Sequence, residues 1–154
     1  MTKAIRIYET GGPEVLRWED DDPGKPGAGE VLVRHEAVGL NFIDVYHRTG
    51  LYPLPSLPTV PGLAGAGIVE DIGEGVSEVS VGDRVAYAAI PPGAYAEVRR
   101  IPAHRLIKLP ESIPTSQGAA MMLQGMTARY LLKGCYNVKK GNVILIHAAA
   151  GGVG

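Results

Sequence analysis

A single cysteine, Cys135, excludes an internal disulfide framework and any cysteine-rich zinc module, and it suits a reducing compartment, with the cytoplasm as the expected location. No charge of one sign dominates: 15 Lys and Arg stand against 16 Asp and Glu, so no field concentrates nucleic acid or anionic lipid. No stretch approaches the roughly 20 apolar residues of a membrane span. Met1 to Tyr8 carries Lys3 and Arg6 but neither the apolar run nor the small-residue cleavage site of an export signal. Neither nucleic acid nor membrane is therefore an expected partner. What the chain does have is 154 residues, 45% of them apolar, enough for one sizeable core and too few for two full domains. It also has 21 Gly and 12 Pro, which cut it into short segments and argue for strands and tight turns over a helical bundle.

Periodicity places those segments. Ala4 to Tyr8 and Val15 to Trp18 flank Gly11-Gly12-Pro13 and predict an opening hairpin. Glu30 to Gly39 alternates, with Val31, Val33, His35 and Ala37 on one side, and reads as a strand. Asn41 is a good helix cap, and Phe42, Val45 and Tyr46 recur at helical spacing, so a short helix runs to Arg48 and stops before Gly50. Four prolines between Leu51 and Pro61 leave only a loop there. Ala66–Ile72, Arg84–Ala88, Ala94–Arg100 and Leu106–Leu109 read as further short strands, a pattern of barrels and sandwiches. Beyond Pro114 a helix takes over from Thr115 to Leu132, broken or bent near Gly125. Val143 to Ala148 then reads as a compact apolar strand leading directly into Ala149-Ala150-Gly151-Gly152-Val153-Gly154.

A strand followed by Ala149-x-Gly151-x-x-Gly154 matches a dinucleotide fingerprint with Ala in its first glycine slot. Without Cβ atoms, such a loop lets backbone N–H groups approach a pyrophosphate. The other reading is a small-residue turn that merely reverses the chain. Because a complete domain would rarely stop at the last glycine of such a loop, the chain reads as the N-terminal portion of a longer protein. His35, His47, His104 and His147 lack the close spacing of zinc ligands and read as packing or surface residues; Cys135 reads as a structural thiol. No Gly-x-Ser-x-Gly elbow occurs. Asp44 and Arg48, four apart on the proposed helix, fit a modest surface ion pair. Equally, Asp44 lies among Asn41, Phe42, Ile43 and Tyr46, beside a proline-locked loop bearing Tyr52, a polar and aromatic mixture able to line a flat ligand.

The run from Gly39 through Asn41-Phe42-Ile43-Asp44-Val45-Tyr46 to Tyr52-Pro53 resembles the signature of the zinc-independent quinone oxidoreductases of the medium-chain dehydrogenase/reductase superfamily. Pro61-Gly62-x-x-Gly65-x-Gly67, Val81-Gly82-Asp83-Arg84-Val85, Gln124-Gly125-Met126-Thr127-Ala128 and His147 to Gly154 follow in the family's order, so the resemblance covers essentially the whole chain. It implies a mainly β fold with some α: a GroES-like distorted β-barrel catalytic domain over residues 1–125, then the first elements of a Rossmann α/β domain over 126–154. It further implies that about half of the parent polypeptide lies outside this chain, with a homodimer as the full-length assembly. The superfamily's zinc alcohol dehydrogenases would place their catalytic ligands at Asn41, Leu63 and Leu123, and an amide and two leucines cannot hold zinc. Ala64 departs from the family's usual Glu, so a local change of hydrogen bonding is expected at the barrel rim.

The activity implied is zinc-free, NADPH-dependent reduction of a quinone or similarly activated carbonyl by hydride transfer, with positioning as the main catalytic device. The resemblance places Asn41, Phe42, Ile43, Asp44 and Tyr46 around the nicotinamide and its ribose. Thr127 and Tyr130 meet the cofactor from the opposite side, and Gly151, Gly152 and Val153 border the pyrophosphate. Tyr46 with Tyr52 stacks on the substrate ring, and no residue is assigned as a general acid. Two rivals remain: an enone or enoyl reductase on the same scaffold, and a non-catalytic GroES-like binding module. With half of the cofactor cleft missing, the isolated chain is expected to be inactive and, through its uncovered apolar faces, to self-associate.

Overall fold

The alternation of Glu30–Gly39 becomes the central strand of the fold. The computed structural model describes every residue from Met1 to Gly154. Its strands are β1 (Thr2–Arg6), β2 (Arg17–Asp21), β3 (Glu30–Gly39), β4 (Ala64–Ile72), β5 (Arg84–Ala88), β6 (Val98–Pro102) and β7 (Ile107–Lys108), and its α-helices are α1 (Phe42–Thr49) and α2 (Thr115–Arg129). β1 and β2 form the expected hairpin. The other five strands make one antiparallel sheet in the order β6-β3-β4-β5-β7. The two sheets join where Ile5 N–H donates to the Tyr95 carbonyl (2.7 Å) and Glu97 N–H to the Lys3 carbonyl (2.8 Å).

Val31 and Val33 of β3 are fully buried while Arg34 and Glu36 face solvent, as period two requires. They pack with Val69, Val85, Tyr87 and Ile101 in the main core cluster. Burying such a side chain contributes about 1.5–3 kcal/mol. On the other face, α2 lies over β4 and β5 through Ala66, Ala86, Ala119 and Met122. Small side chains there bring the helix close: a Cβ at Gly39 would stand 2.7 Å from the Ala119 carbonyl oxygen, so only glycine fits at the end of β3.

Several expectations move. β1 begins and ends two residues earlier than the periodicity predicts, and β2 begins and ends later, because Pro13 opens a 3-10 turn over Pro13–Val15 and pairing resumes only at Arg17. Residues Ala94 to Glu97 bond to Gly62, Pro61 and the N-terminal strand, so regular pairing with β3 starts at Val98. Helix α2 runs unbroken through Gly125, which is exposed and unconstrained; its irregularity falls at Tyr130–Cys135, where the chain adopts a π-helical turn. Cys135 is exposed rather than packed. Val143–Ala148 does not form a strand: a strand exists through ladder hydrogen bonds, and none of the sheets includes this segment. Val143 and Leu145 are left 99% and 82% exposed.

At the seam of the two sheets, His35 Nδ1 donates to the Ala96 carbonyl (2.6 Å) and Nε2 accepts from the Tyr87 hydroxyl (2.6 Å), which assigns the neutral Nδ1–H tautomer. Beside it Arg99, itself buried, lies over the Tyr87 ring at 4.8 Å and donates to the Pro91 carbonyl. Burial, reinforced by the Arg99 charge, pushes the His35 pKa from 6.5 down to about 4. The unfolded chain therefore binds this proton more readily. The His35 contribution is whole above about pH 6.5 and is lost as pH falls toward 4, by about 3 kcal/mol in total. Urea unfolding of wild type and His35→Gln at pH 7 and pH 4 should show a pH-dependent difference of that order, and parallel pH profiles would contradict it. The bare Val143–Ile146 run should also drive concentration-dependent association, read by sedimentation velocity and reduced by Ile144→Lys; a clean monomer at all concentrations would contradict that.

Candidate active site

Helix α1 is capped by Asn41 at its start and by Gly50, whose φ of +81° closes it in the left-handed conformation, at its end. Its eight residues are too few to be stable alone. Its first turn is held by Asp44, whose Oδ2 accepts from the Asn41 backbone N–H (2.9 Å) and from the Tyr95 hydroxyl (2.9 Å). The residue is 3% exposed, and its Oδ1 is buried without a hydrogen-bond partner. Burial raises its pKa; the hydrogen bonds from Asn41 and Tyr95 and the nearby His47 oppose that rise. The Tyr95 phenol is itself pushed well up by burial and by the Asp44 charge. The proposed Asp44–Arg48 surface pair does not form: Asp44 is interior, and Arg48 donates to the Gly11 carbonyl at 3.2 Å.

Asn41 and Asp44 form a capping box at the start of the helix. The Asn41 Oδ1 also accepts from Gln124 Nε2 at 2.8 Å, reaching across from α2. Asn41 Nδ2 and Gln124 Oε1 are both buried without partners. Ala64 stands next to this orphan: a Cβ at Gly39 would lie 3.0 Å from the Ala64 methyl and 3.4 Å from Asn41 Nδ2.

The aromatic residues of the site gather on one edge of α1. Phe42 is 79% exposed with its ring 6.4 Å from that of Tyr46, and Tyr46 meets Tyr52 edge-on at 5.3 Å. The Tyr52 N–H donates to the Tyr46 carbonyl (3.1 Å), which folds the proline loop back on the helix. Ile43 is half-buried. On α2, Thr127 is half-buried and its hydroxyl donates to the Leu123 carbonyl (2.8 Å). Tyr130 opens the π-helical turn, exposed, with its ring against Gly134 and its phenol raised by hydrogen bonding to Cys135.

Gly151 N–H donates to the Ala148 carbonyl (2.7 Å), closing the glycine loop as a tight turn. Gly151, Gly152 and Val153 are exposed. The loop rests on α2: a Cβ at Gly152 would stand 3.3 Å from Gln124 Cγ and 3.7 Å from its Nε2. Val153 borders a cavity of about 350 Å³ with Leu131, Tyr136 and Ile146. The structure therefore brings Asn41 and Gly152 together on one side chain, Gln124, which sequence reasoning quoted within a motif but gave no role. The signal available was a carboxamide beside Leu123 on a helix otherwise rich in small and apolar residues. Two observations suit a dinucleotide carrying a carboxamide here: buried amide groups with unused hydrogen-bonding capacity, and a loop that a Cβ would obstruct. For a metal, the positions Asn41, Leu63 and Leu123 bring no ligand set, and no three His, Cys, Asp or Glu side chains converge anywhere in the fold.

Residues 27–111 match the model of the alcohol dehydrogenase GroES-like domain, and the chain belongs to that family, within the medium-chain dehydrogenase/reductase superfamily. It is 52% identical over 154 residues to a quinone oxidoreductase of Pseudomonas aeruginosa, covering all of this chain and 47% of that protein. It is 44% identical over 160 residues to a 2-haloacrylate reductase from a Burkholderia species, covering 48% of that protein. The solved structure of Escherichia coli quinone oxidoreductase complexed with NADPH superimposes with a TM-score of 0.94 at 46% identity, over 98% of this chain and 46% of the other. The chain thus spans about half the length of the relatives it matches.

Because the Asp44 carboxylate is the buried partner of both Asn41 and Tyr95, Asp44→Ala should lower unfolding free energy by about 2–4 kcal/mol, and Tyr95→Phe by about 1–2 kcal/mol. Denaturant titration of the two variants checks the order; an Asp44→Ala chain as stable as wild type would contradict the assignment.

Proposed function

We propose that this chain forms the substrate-facing half of an NADPH-dependent quinone reductase, working without zinc in the cytoplasm as a homodimer. The observation that carries the reading is that the start of α1, at Asn41, and the glycine loop, at Gly152, both meet Gln124. Bound NADPH would supply a hydride from C4 of its nicotinamide, which with one proton from solvent converts a quinone to a hydroquinone.

The work left to this chain is positioning. Asn41, Phe42, Ile43, Asp44 and Tyr46 would border the nicotinamide and its ribose, with Asp44 fixing the start of α1. Thr127 and Tyr130 would close the cofactor from the α2 side, and the open backbone of Gly151, Gly152 and Val153 would admit the pyrophosphate. The Tyr46–Tyr52 edge presents aromatic surface to a flat, electron-poor ring. A quinone is electrophilic enough to accept hydride once so held, and no residue need act as a general acid. The division at 125/126 is retained as the boundary between catalytic and nucleotide-binding portions, with the single helix α2 running across it.

The likeness to a 2-haloacrylate reductase supports a second reading, reduction of an activated alkene on the same scaffold. A chimera in which this chain replaces the matching half of the P. aeruginosa quinone oxidoreductase separates the two. Steady NADPH oxidation with 1,4-benzoquinone, and at least tenfold less with an alkenal, is the expected result. A folded chimera that binds NADPH and turns over only the alkenal would transfer the proposal to alkene reduction; one that binds no NADPH would end both readings. Asking the chain alone to consume NADPH should give no steady turnover.

A further inference from the structure

We propose that Gln124 is a positioning residue that couples the glycine loop to the start of α1, bonding the Asn41 carboxamide at the helix cap and seating Gly152 against the same side chain. The inference deepens the cofactor reading above and rests on it for its catalytic meaning, though its structural content stands independently.

Three observations converge on it. An asparagine in the N-cap position ordinarily turns its side-chain oxygen to the N–H of the third helical residue. Here Asn41 and Asp44 form a capping box, and the Asn41 oxygen also accepts from Gln124 Nε2 at 2.8 Å. Asn41 is 8% exposed, so this is an interior amide pair in which each unpartnered atom, Asn41 Nδ2 and Gln124 Oε1, forgoes a hydrogen bond. Such a pair is costly to maintain unless a ligand uses the free donor and acceptor. Finally, the stem of Gln124 is the surface on which Gly152 sits, with a Cβ at that position falling 3.3 Å from Gln124 Cγ. No other side-chain hydrogen bond connects α2 with α1. A shift of the loop is therefore transmitted to Asn41 through one flexible side chain, and the reverse.

Gln124→Leu removes the donor while keeping the stem. The Asn41–Asp44 capping box is left intact, so the melting temperature should change little. In 15N-labelled chain, the Asn41 side-chain NH2 signals and the Gly152 amide should shift, whereas Val31 and Val33 amides in the core should not. Gly152→Ala, which presses on Gln124 from the loop side, should move the same Asn41 signals without touching Asn41 directly. In the chimera, Gln124→Leu should weaken NADPH binding about tenfold, measured by nicotinamide fluorescence, with Gln124→Glu restoring part of the tie through a flipped Asn41 amide. Asn41 signals indifferent to both substitutions would overturn the coupling whatever the chimera does. Coupled signals with an unaltered NADPH affinity would overturn its role toward the cofactor, and a wild-type chimera that ignores NADPH would condemn the cofactor reading alone.

Discussion

A carboxylate taken out of water at the first turn of a short helix sets the rest of the site. Asp44 sits where the helix dipole favours negative charge, and it receives one hydrogen bond from its own helix start and one from Tyr95. Tyr95 in turn belongs to the segment whose carbonyl receives the Ile5 N–H, so the carboxylate connects α1 to the seam between the two sheets. A helix of eight residues gains little from its own hydrogen bonds. Its direction, and with it the aim of Phe42 and Tyr46, follows from where Asp44 is pinned.

Asp44 and Asn41 share the cap, and the packing of α2 decides what else the Asn41 carboxamide meets. Alanine and glycine at positions 39, 64, 66, 86 and 119 let α2 approach the sheet closely, which brings the polar end of Gln124 within 2.8 Å of the Asn41 oxygen. The Asn41 amide nitrogen is left buried without an acceptor. The site is therefore a meeting of small side chains around two carboxamides, with the glycine loop as a third wall. The proposed hydride transfer asks for geometry more than for a strong acid or a metal, and such a small-residue frame suits that demand.

The last part of the chain obeys a different logic. Val143 to Ile146 has the composition of a buried strand, but a strand needs a ladder, and this segment pairs with neither sheet. The glycine loop nevertheless keeps a tight turn, because Gly151 N–H finds the Ala148 carbonyl two peptide units away and the loop leans on α2. Local hydrogen bonding suffices for a turn, and non-local pairing is indispensable for a strand.

The same distinction divides what was legible in the residues from what was not. Period-two alternation in Glu30–Gly39, the Asn41 cap with its Gly50 stop, and the proline-free run after Pro114 located β3, α1 and α2, since each reflects interactions within a few residues. The ordered motifs gave the family by the same reading, and the aromatic trio of Phe42, Tyr46 and Tyr52 was visible because helical spacing and a short loop place it. Spacing could not reveal that Asp44 faces Tyr95 rather than Arg48, nor that Gln124 bridges Asn41 and Gly152, because these partners are 51, 83 and 28 residues apart, the last from 152 − 124. The sequence by itself determined which segments turn, coil or alternate; only the tertiary structure decided which polar groups lose water and in whose company, because desolvation is a property of the neighbours that folding assembles.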